Sequence, residues 1–318
     1  MSKFAVGIDV GGTTAKFGIV NETGEILVQD RIPTNKHENI NDFIDELYTH
    51  LWPMVETHGG ITNCVGIGMG APNGNYYSGT IEYAPNLVWK GIVPIAELVQ
   101  EKFKLPVKLT NDANAAAVGE MMYGCAKGVK HFITITLGTG VGSGIVIDGK
   151  IVLGHDGFAG ELGHTIVRKG GRFHKGTGSL GCLESYASAT GVRETAFEFL
   201  AADPSEPSLL RDYNTEEITS QTVYECAMKG DAIALKVFEF TGEILGEALA
   251  NAVMFSSPEM IVLFGGLTKA GDLIMKPTKA SMEANLIQIF KNKVKLVFSH
   301  LQESDAAILG ASALVWSN

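Results

Sequence analysis

Short apolar runs that stop at glycine set the rhythm of the first part of the chain. Phe4 to Asp9 is apolar at nearly every position and reads as a buried strand. Gly11-Gly12-Thr13-Thr14 follows as a turn, Lys16 to Val20 resumes the strand pattern, Asn21 to Gly24 is a second turn, and Glu25 to Gln29 is a third strand. The same layout recurs further on. His131 to Leu137 is a strand rich in Ile and Thr, Gly138 to Gly144 a glycine turn and Ile145 to Ile147 a strand. Asp148-Gly149 is then a hairpin turn and Lys150 to Leu153 a strand. Two separated copies of one supersecondary unit predict two related domains.

Helical periodicity fills the intervals. Asn39 to Leu51 and Ile95 to Phe103 read as helices, the second ending before Pro106, and Cys64 to Met69 and Val107 to Leu109 as strands. Ala113 to Met122 consists almost wholly of helix formers. Glu184 to Leu200 and Thr241 to Phe255 are predicted helices, and Met260 to Phe264 is a strand stopped by Gly265-Gly266. Asp305 to Trp316 is a closing helix with Ser304 or Asp305 as its N-cap.

Composition narrows the class. With 318 residues, 45% hydrophobic and 19% charged, the chain is an ordinary globular protein too long for one small core. Its 38 glycines suggest many tight turns or close backbone approaches to a ligand. A formal net charge of -10 disfavours nonspecific nucleic-acid binding, so anionic ligands would be held locally, by backbone amides, helix ends or a metal ion. No apolar run is long enough to span a membrane, and Met1 to Val6 lacks a signal-peptide layout. Four scattered cysteines, Cys64, Cys125, Cys182 and Cys226, fit a reduced, cytoplasmic protein.

Several positions carry candidate chemistry. Asp9 ends a strand just before the Gly11-Gly12 turn, where it is either a turn acceptor or a holder of Mg2+ near a phosphate. Gly138 to Ser143 nearly fits a dinucleotide fingerprint. However, Ser143 stands where a third small residue belongs, and a strand follows instead of a helix. Gly171 to Thr177 has Walker A glycine spacing but no Lys before the Thr. Asn111-Asp112 opens a helix: both are preferred cap residues, which is the plain reading, but two are more than a cap needs, and the sharper reading has Asp112 accept a proton from a substrate hydroxyl. Glu161 and His164, three apart in a glycine-rich stretch, suit a polyol, although such a pair is more often only surface residues.

Five motifs together are similar to the ROK family (repressors, open reading frames and sugar kinases). They are Asp9-x-Gly11-Gly12-Thr13-x-x-Lys16, Asn111-Asp112-Ala113-Asn114-Ala115-Ala116, Leu137-Gly138-Thr139-Gly140-x-Gly142, Gly160-Glu161-x-Gly163-His164 and Gly178-x-x-Gly181-Cys182-x-Glu184. The resemblance covers nearly the whole chain. It implies an α/β protein of the actin-like, ribonuclease-H-like ATPase fold, with two domains around a central cleft. The expected division is a small domain of 1–112 plus 303–318, closed by the C-terminal helix, and a large domain of 113–302.

By that resemblance Gly11, Gly12, Thr13 and Lys16 line the phosphates of ATP, with Mg2+ near Asp9. Gly138, Thr139 and Gly140 form a second phosphate turn, and Gly265-Gly266 borders the nucleoside. Asp112, expected to be buried, matches the catalytic base, and Asn111, Glu161, His164 and Glu184 match sugar-binding positions. Asn86, in Ala84-Pro85-Asn86-Leu87-Val88-Trp89, is a further contact, in a stretch that looks more like the glucokinase branch than the amino-sugar branches. The implied activity is ATP-dependent phosphorylation of glucose or a close hexose. N-acetylmannosamine, N-acetylglucosamine, fructose and allose are the alternatives, and a homodimer is the family's common state.

The sequence departs from the family at one place. Many members carry a Cys-x-Cys-Gly-x-x-Gly-Cys segment that binds structural zinc with the His of Glu-x-Gly-His. Here Lys175 and Thr177 replace the first two cysteines and only Cys182 remains, with His174 nearby. No tightly bound zinc is expected. Two rival classes remain. Family repressors carry a helix-turn-helix domain before the first glycine strand, and here that strand begins at Phe4, leaving no expected room for one. An actin-like or chaperone-type ATPase would not need Asn111-Asp112 together with Glu161, His164 and Glu184.

Overall fold

The computed structural model describes residues 2–316. In chain order, β1 (Phe4–Val10), β2 (Thr14–Asn21) and β3 (Ile26–Pro33) lead into α1 (Ile40–Thr57), the short α2 (Gly60–Asn63) and β4 (Cys64–Gly70). The two-residue strands β5 (Ile81–Glu82) and β6 (Ile92–Val93) precede α3 (Ile95–Phe103), β7 (Val107–Thr110) and α4 (Asp112–Met122). Then come β8 (Phe132–Leu137), β9 (Val141–Ile147) and β10 (Lys150–Ile151), followed by helices α5 (Glu184–Ala187), α6 (Ala189–Ala202), α7 (Ser220–Met228) and α8 (Ala232–Ser256). β11 (Met260–Phe264), α9 (Asp272–Asn285), β12 (Lys295–Phe298) and α10 (Glu303–Trp316) complete the chain.

Two compact units result. One comprises 1–130, 144–160 and 299–318, and the other 131–143 and 161–298. In the first, the sheet order is β3-β2-β1-β4-β7. β1 pairs antiparallel with β2, Asp9 opposite Lys16, and parallel with β4, Asp9 opposite Gly70. β4 in turn pairs parallel with β7, Gly70 opposite Thr110. The parallel strands β1, β4 and β7 therefore end side by side. Ile8, Val10, Phe17, Ile19, Phe43, Leu47, Ile67 and Met69 are buried in its core. In the second unit β11 lies parallel between β8 and β12, and α8 packs on α9.

Close backbone contact holds the first unit together. α10 packs against β1, β4 and α4. A Cβ on Gly7 would lie 2.1 Å from the Ile308 carbonyl oxygen, and one on Gly68 only 1.8 Å from that of Ala311. Only glycine leaves the helix backbone room to lie directly on the strands.

The structure moves several boundaries. Gly142, Ser143 and Gly144 lie in β9, so the glycine turn is shorter than the expected 138–144. The predicted helix 184–200 is broken at Ser188, whose hydroxyl accepts from the Gly191 amide at 3.0 Å and caps α6. Helix 241–255 starts nine residues earlier, at Ala232. α10 begins at Glu303, placing Ser304 and Asp305 inside its first turn, where the Gln302 carbonyl accepts from the Asp305 amide at 3.0 Å. α9 was not predicted, because Pro277 interrupts its pattern. It packs closely on α8, where Gly242 and Gly246 leave room for its backbone and Pro277.

Gly68→Ala should cost roughly 1–3 kcal/mol or more, the range of core overpacking, since the obstacle is backbone and cannot rotate away. Urea unfolding of purified wild type and variant measures it; an unchanged midpoint would contradict the packing described.

Candidate active site

Each unit carries one group of the predicted residues. In the first, β1 delivers Asp9, partly buried, at the strand end, with Lys16 opposite it on β2. The intervening turn is closed by the Gly11 amide donating to the Thr14 carbonyl at 3.1 Å. The Asn86 backbone lies against it, since a Cβ on Gly12 would come within 2.6 Å of the Asn86 carbonyl oxygen. Exposed Asn86 thus borders the Gly11-Gly12 turn, a placement its spacing in sequence did not reveal.

The end of β7 turns directly into α4. Asn111 is the cap: it is extended, 7% exposed, and its side-chain oxygen accepts from the Asn114 amide at 2.7 Å. Its side-chain NH2 is left as the polar end a substrate could use. Asp112 is therefore not the cap. It is exposed, contrary to the expected burial, and its Oδ1 accepts from the Ala113 amide at 2.9 Å. The first turn of a helix favours its negative charge.

Asp9 and Asp112 are coupled. Burial, then repulsion from Asp112, pushes the Asp9 carboxyl up from 3.8 to about 6, against the opposing pull of Lys16. Two carboxylates sharing a strand-end position, with one lysine to offset them, fit a divalent cation bound to a phosphate.

The second unit holds the other group. β8 ends at Leu137, and the Gly138 amide donates to the Gly140 carbonyl at 3.0 Å to form the turn into β9. The N-terminus of α6 braces it: the Ala189 amide donates to the Gly138 carbonyl at 2.8 Å, and the Thr190 hydroxyl to that of Thr139 at 3.3 Å. Ser188, Ala189 and Thr190 were missed because the sequence pattern ran one helix across them. The available signal was Ser188 itself, a cap residue inside a supposed helix. Thr139, Thr190 and Arg193 also line an open pocket of about 200 Å³ with Glu216 and Ile218. Gly265-Gly266 follows β11, the strand beside β8.

Glu161 and His164 flank and end a short 3-10 turn at 162–164, both exposed, with the His164 Nε2 3.7 Å from the Glu161 carboxylate. Glu184, at the start of α5, reaches the glycine turn: its Oε2 accepts from the Val141 amide at 2.6 Å. A Cβ on Gly140 would meet that same oxygen at 2.3 Å.

His164, His174 and Cys182 present ligand atoms within 4.8 Å of one another. They fit structural zinc poorly. Three is one short of the usual four, and both His174 nitrogens have partners, Glu184 at 2.7 Å and Thr177 at 2.9 Å. The Cys182 sulfur lies 3.2 Å from the Ser185 hydroxyl.

The parallel-strand ends and glycine turns define a protein of the actin-like α/β fold in two domains. The ROK family model matches residues 5–318, and the chain belongs to the ROK family. It is 39% identical to a glucokinase of Halalkalibacterium halodurans, over 98% of this chain and 95% of that protein. It is 31% identical to a xylose repressor of Caldicellulosiruptor bescii, covering 98% of this chain and 78% of the repressor. Among solved structures, a ROK family glucokinase from Streptomyces griseus in complex with glucose and AMPPNP aligns with a TM-score of 0.82 at 31% identity. That alignment covers 99% of this chain and 100% of the other.

Since Asp9 holds its proton more tightly when folded than unfolded, its contribution to stability is complete below about pH 4. It is lost as pH rises through about 6. The difference from 3.8 is worth up to roughly 3 kcal/mol. Asp9→Asn, assayed without nucleotide or Mg2+, should therefore melt higher than wild type at pH 7.5 and about equally at pH 4. A Tm gap that does not widen with pH would refute the desolvated carboxylate.

Proposed function

We propose that the chain is an ATP-dependent hexose kinase that transfers the γ-phosphoryl group of ATP to the 6-hydroxyl of glucose or a close relative. The observation that carries this reading is the exposed Asp112 beside desolvated Asp9 at the strand ends, in a chain 39% identical to a glucokinase. The Streptomyces griseus relative, bound to glucose and AMPPNP, supports both substrates.

In this reading Asp112 accepts the proton of the sugar hydroxyl as the oxygen attacks the γ-phosphorus. The bond to the bridging β–γ oxygen breaks and ADP leaves. Asn111, already fixed by its capping bond, offers its side-chain NH2 to the sugar, and Asn86, Glu161, His164 and Glu184 hold further hydroxyls. Gly11, Gly12, Thr13 and Lys16 contact the phosphates, as do Gly138, Thr139 and Gly140. Gly265-Gly266 and the pocket beside Thr139 receive the nucleoside. Mg2+, held through Asp9, would neutralise charge developing on the transferred group. Four unpaired thiols support a cytoplasmic location, and no helix among the described residues is long and apolar enough to cross a membrane. A homodimer is carried over from the family.

The likeness to xylose repressors makes sugar sensing the second reading. A coupled assay across a hexose panel with Mg-ATP separates the two: a kinase consumes ATP only with sugar, with highest kcat/KM on glucose, whereas a sensor binds sugar without turnover. ATP consumption independent of sugar would sink both. Asp112→Asn should lower kcat about 10²–10⁴-fold, the usual worth of a general base, while glucose affinity is retained. Near-normal turnover would remove Asp112 from the base role.

A further inference from the structure

We infer that His174 is a positioning residue: it holds Glu184, and through Glu184 the glycine turn at 138–141, by hydrogen bonds that replace the structural metal of many relatives. The inference rests on the kinase reading for its effect on catalysis, though not for the brace itself.

Glu184 is the node of the network. Its Oε2 accepts from the Val141 amide at 2.6 Å, and its Oε1 lies 2.7 Å from the Nε2 of His174. Both side chains are mostly buried, at 19% and 18% exposed, so bulk water screens this contact little. A carboxylate only accepts, so His174 must donate from Nε2. Nδ1, 2.9 Å from the Thr177 hydroxyl, then accepts from it. Thr177 lies in turn 2.7 Å from the Ser179 hydroxyl. Backbone bonds seat the ring. The His174 amide donates to the Ser179 carbonyl at 2.8 Å, and the Gly178 amide to the His174 carbonyl at 2.8 Å.

Thr177 stands where many relatives carry a cysteine, so the residue that departs from the family's pattern is a direct partner of the ring. The rest of the loop is anchored without a metal as well. Arg172 makes a bidentate pair with Glu198, at 2.6 and 2.7 Å, and lies over the Tyr186 ring at 4.6 Å. The Gly181 amide donates to the Arg172 carbonyl at 2.7 Å. With both ring nitrogens used, His174 has no lone pair to spare for zinc. A metal there would have to displace Thr177 from Nδ1, or take Nε2 from Glu184.

Removing a donor to a charged group costs roughly 10–100-fold in the quantity that depends on it. His174→Ala should therefore raise the KM for hexose roughly 10–100-fold, with a smaller fall in kcat. His174→Gln, which keeps an N–H to point at Glu184, should recover most of it. A loop that is merely loosened would reduce the active fraction, and hence kcat, leaving KM unchanged and glutamine no better than alanine; that result overturns the proposal. Elemental analysis of untagged wild type should find well under one zinc per chain. Dialysis against chelator followed by Mg2+ should leave Tm and activity unchanged. One zinc per chain, lost together with Tm on chelation, also overturns it.

If wild type phosphorylates no hexose, the kinase reading fails, and the brace is still read by melting. His174→Ala and Glu184→Gln should each lower Tm, and the double variant should melt no lower than the worse single one. Additive losses would show that the two residues do not act together.

Discussion

At Gly7 and Gly68 the backbone of the closing helix α10 lies directly on the first sheet, and the placement of the strand-end carboxylates depends on that contact. Gly7 and Gly68 bring the strands within touching distance of the carbonyls of Ile308 and Ala311. On its other side α10 meets α4 just as closely, since a Cβ on Gly310 would lie 2.5 Å from the Ala115 carbonyl oxygen. β1 carries Asp9 and α4 begins with Asp112, so one helix sets the relation between the two carboxylates. Side chains in those gaps would shift their oxygens by more than catalytic positioning tolerates.

The resulting electrostatics are costly for the empty protein. Asp9 is desolvated beside a second carboxylate, with Lys16 as partial compensation. Such a site is least comfortable without a cation and most comfortable with one, which is the sense required for binding a metal-bound triphosphate. An acidic chain, at net charge -10, has no general attraction for that ligand. A turn without side chains lets backbone N–H groups approach phosphate oxygens, the local means by which the proposed glycine turns would supply it.

In the second unit Glu184 does the corresponding mechanical work. It ties the glycine turn to the loop of 166–182, where His174, Thr177 and Ser179 are joined by hydrogen bonds. A metal would impose one geometry on four ligands, whereas this network spreads the constraint over side chains and backbone.

Local pattern determined a great deal by itself. The apolar runs ended by glycine specified β1, β4, β8 and β11, Ile95–Phe103 was legible to the residue, and the five motifs named the chemistry. These are features that neighbouring residues decide: strand burial, turn conformation, helix propensity. What only the tertiary structure decided depends on residues far apart in the chain. α9 is a helix despite Pro277, packed against Gly242 and Gly246 of the distant α8. Ser188 breaks a helix because Gly138 and Thr139 take up the exposed amide and hydroxyl of the next one. Asn111 and Asp112 look alike as caps in sequence, yet Asn111 is the buried cap that accepts from the Asn114 amide, while Asp112 is exposed inside the first turn. The partner of His174 is ten residues away, across a loop whose closure no periodicity records.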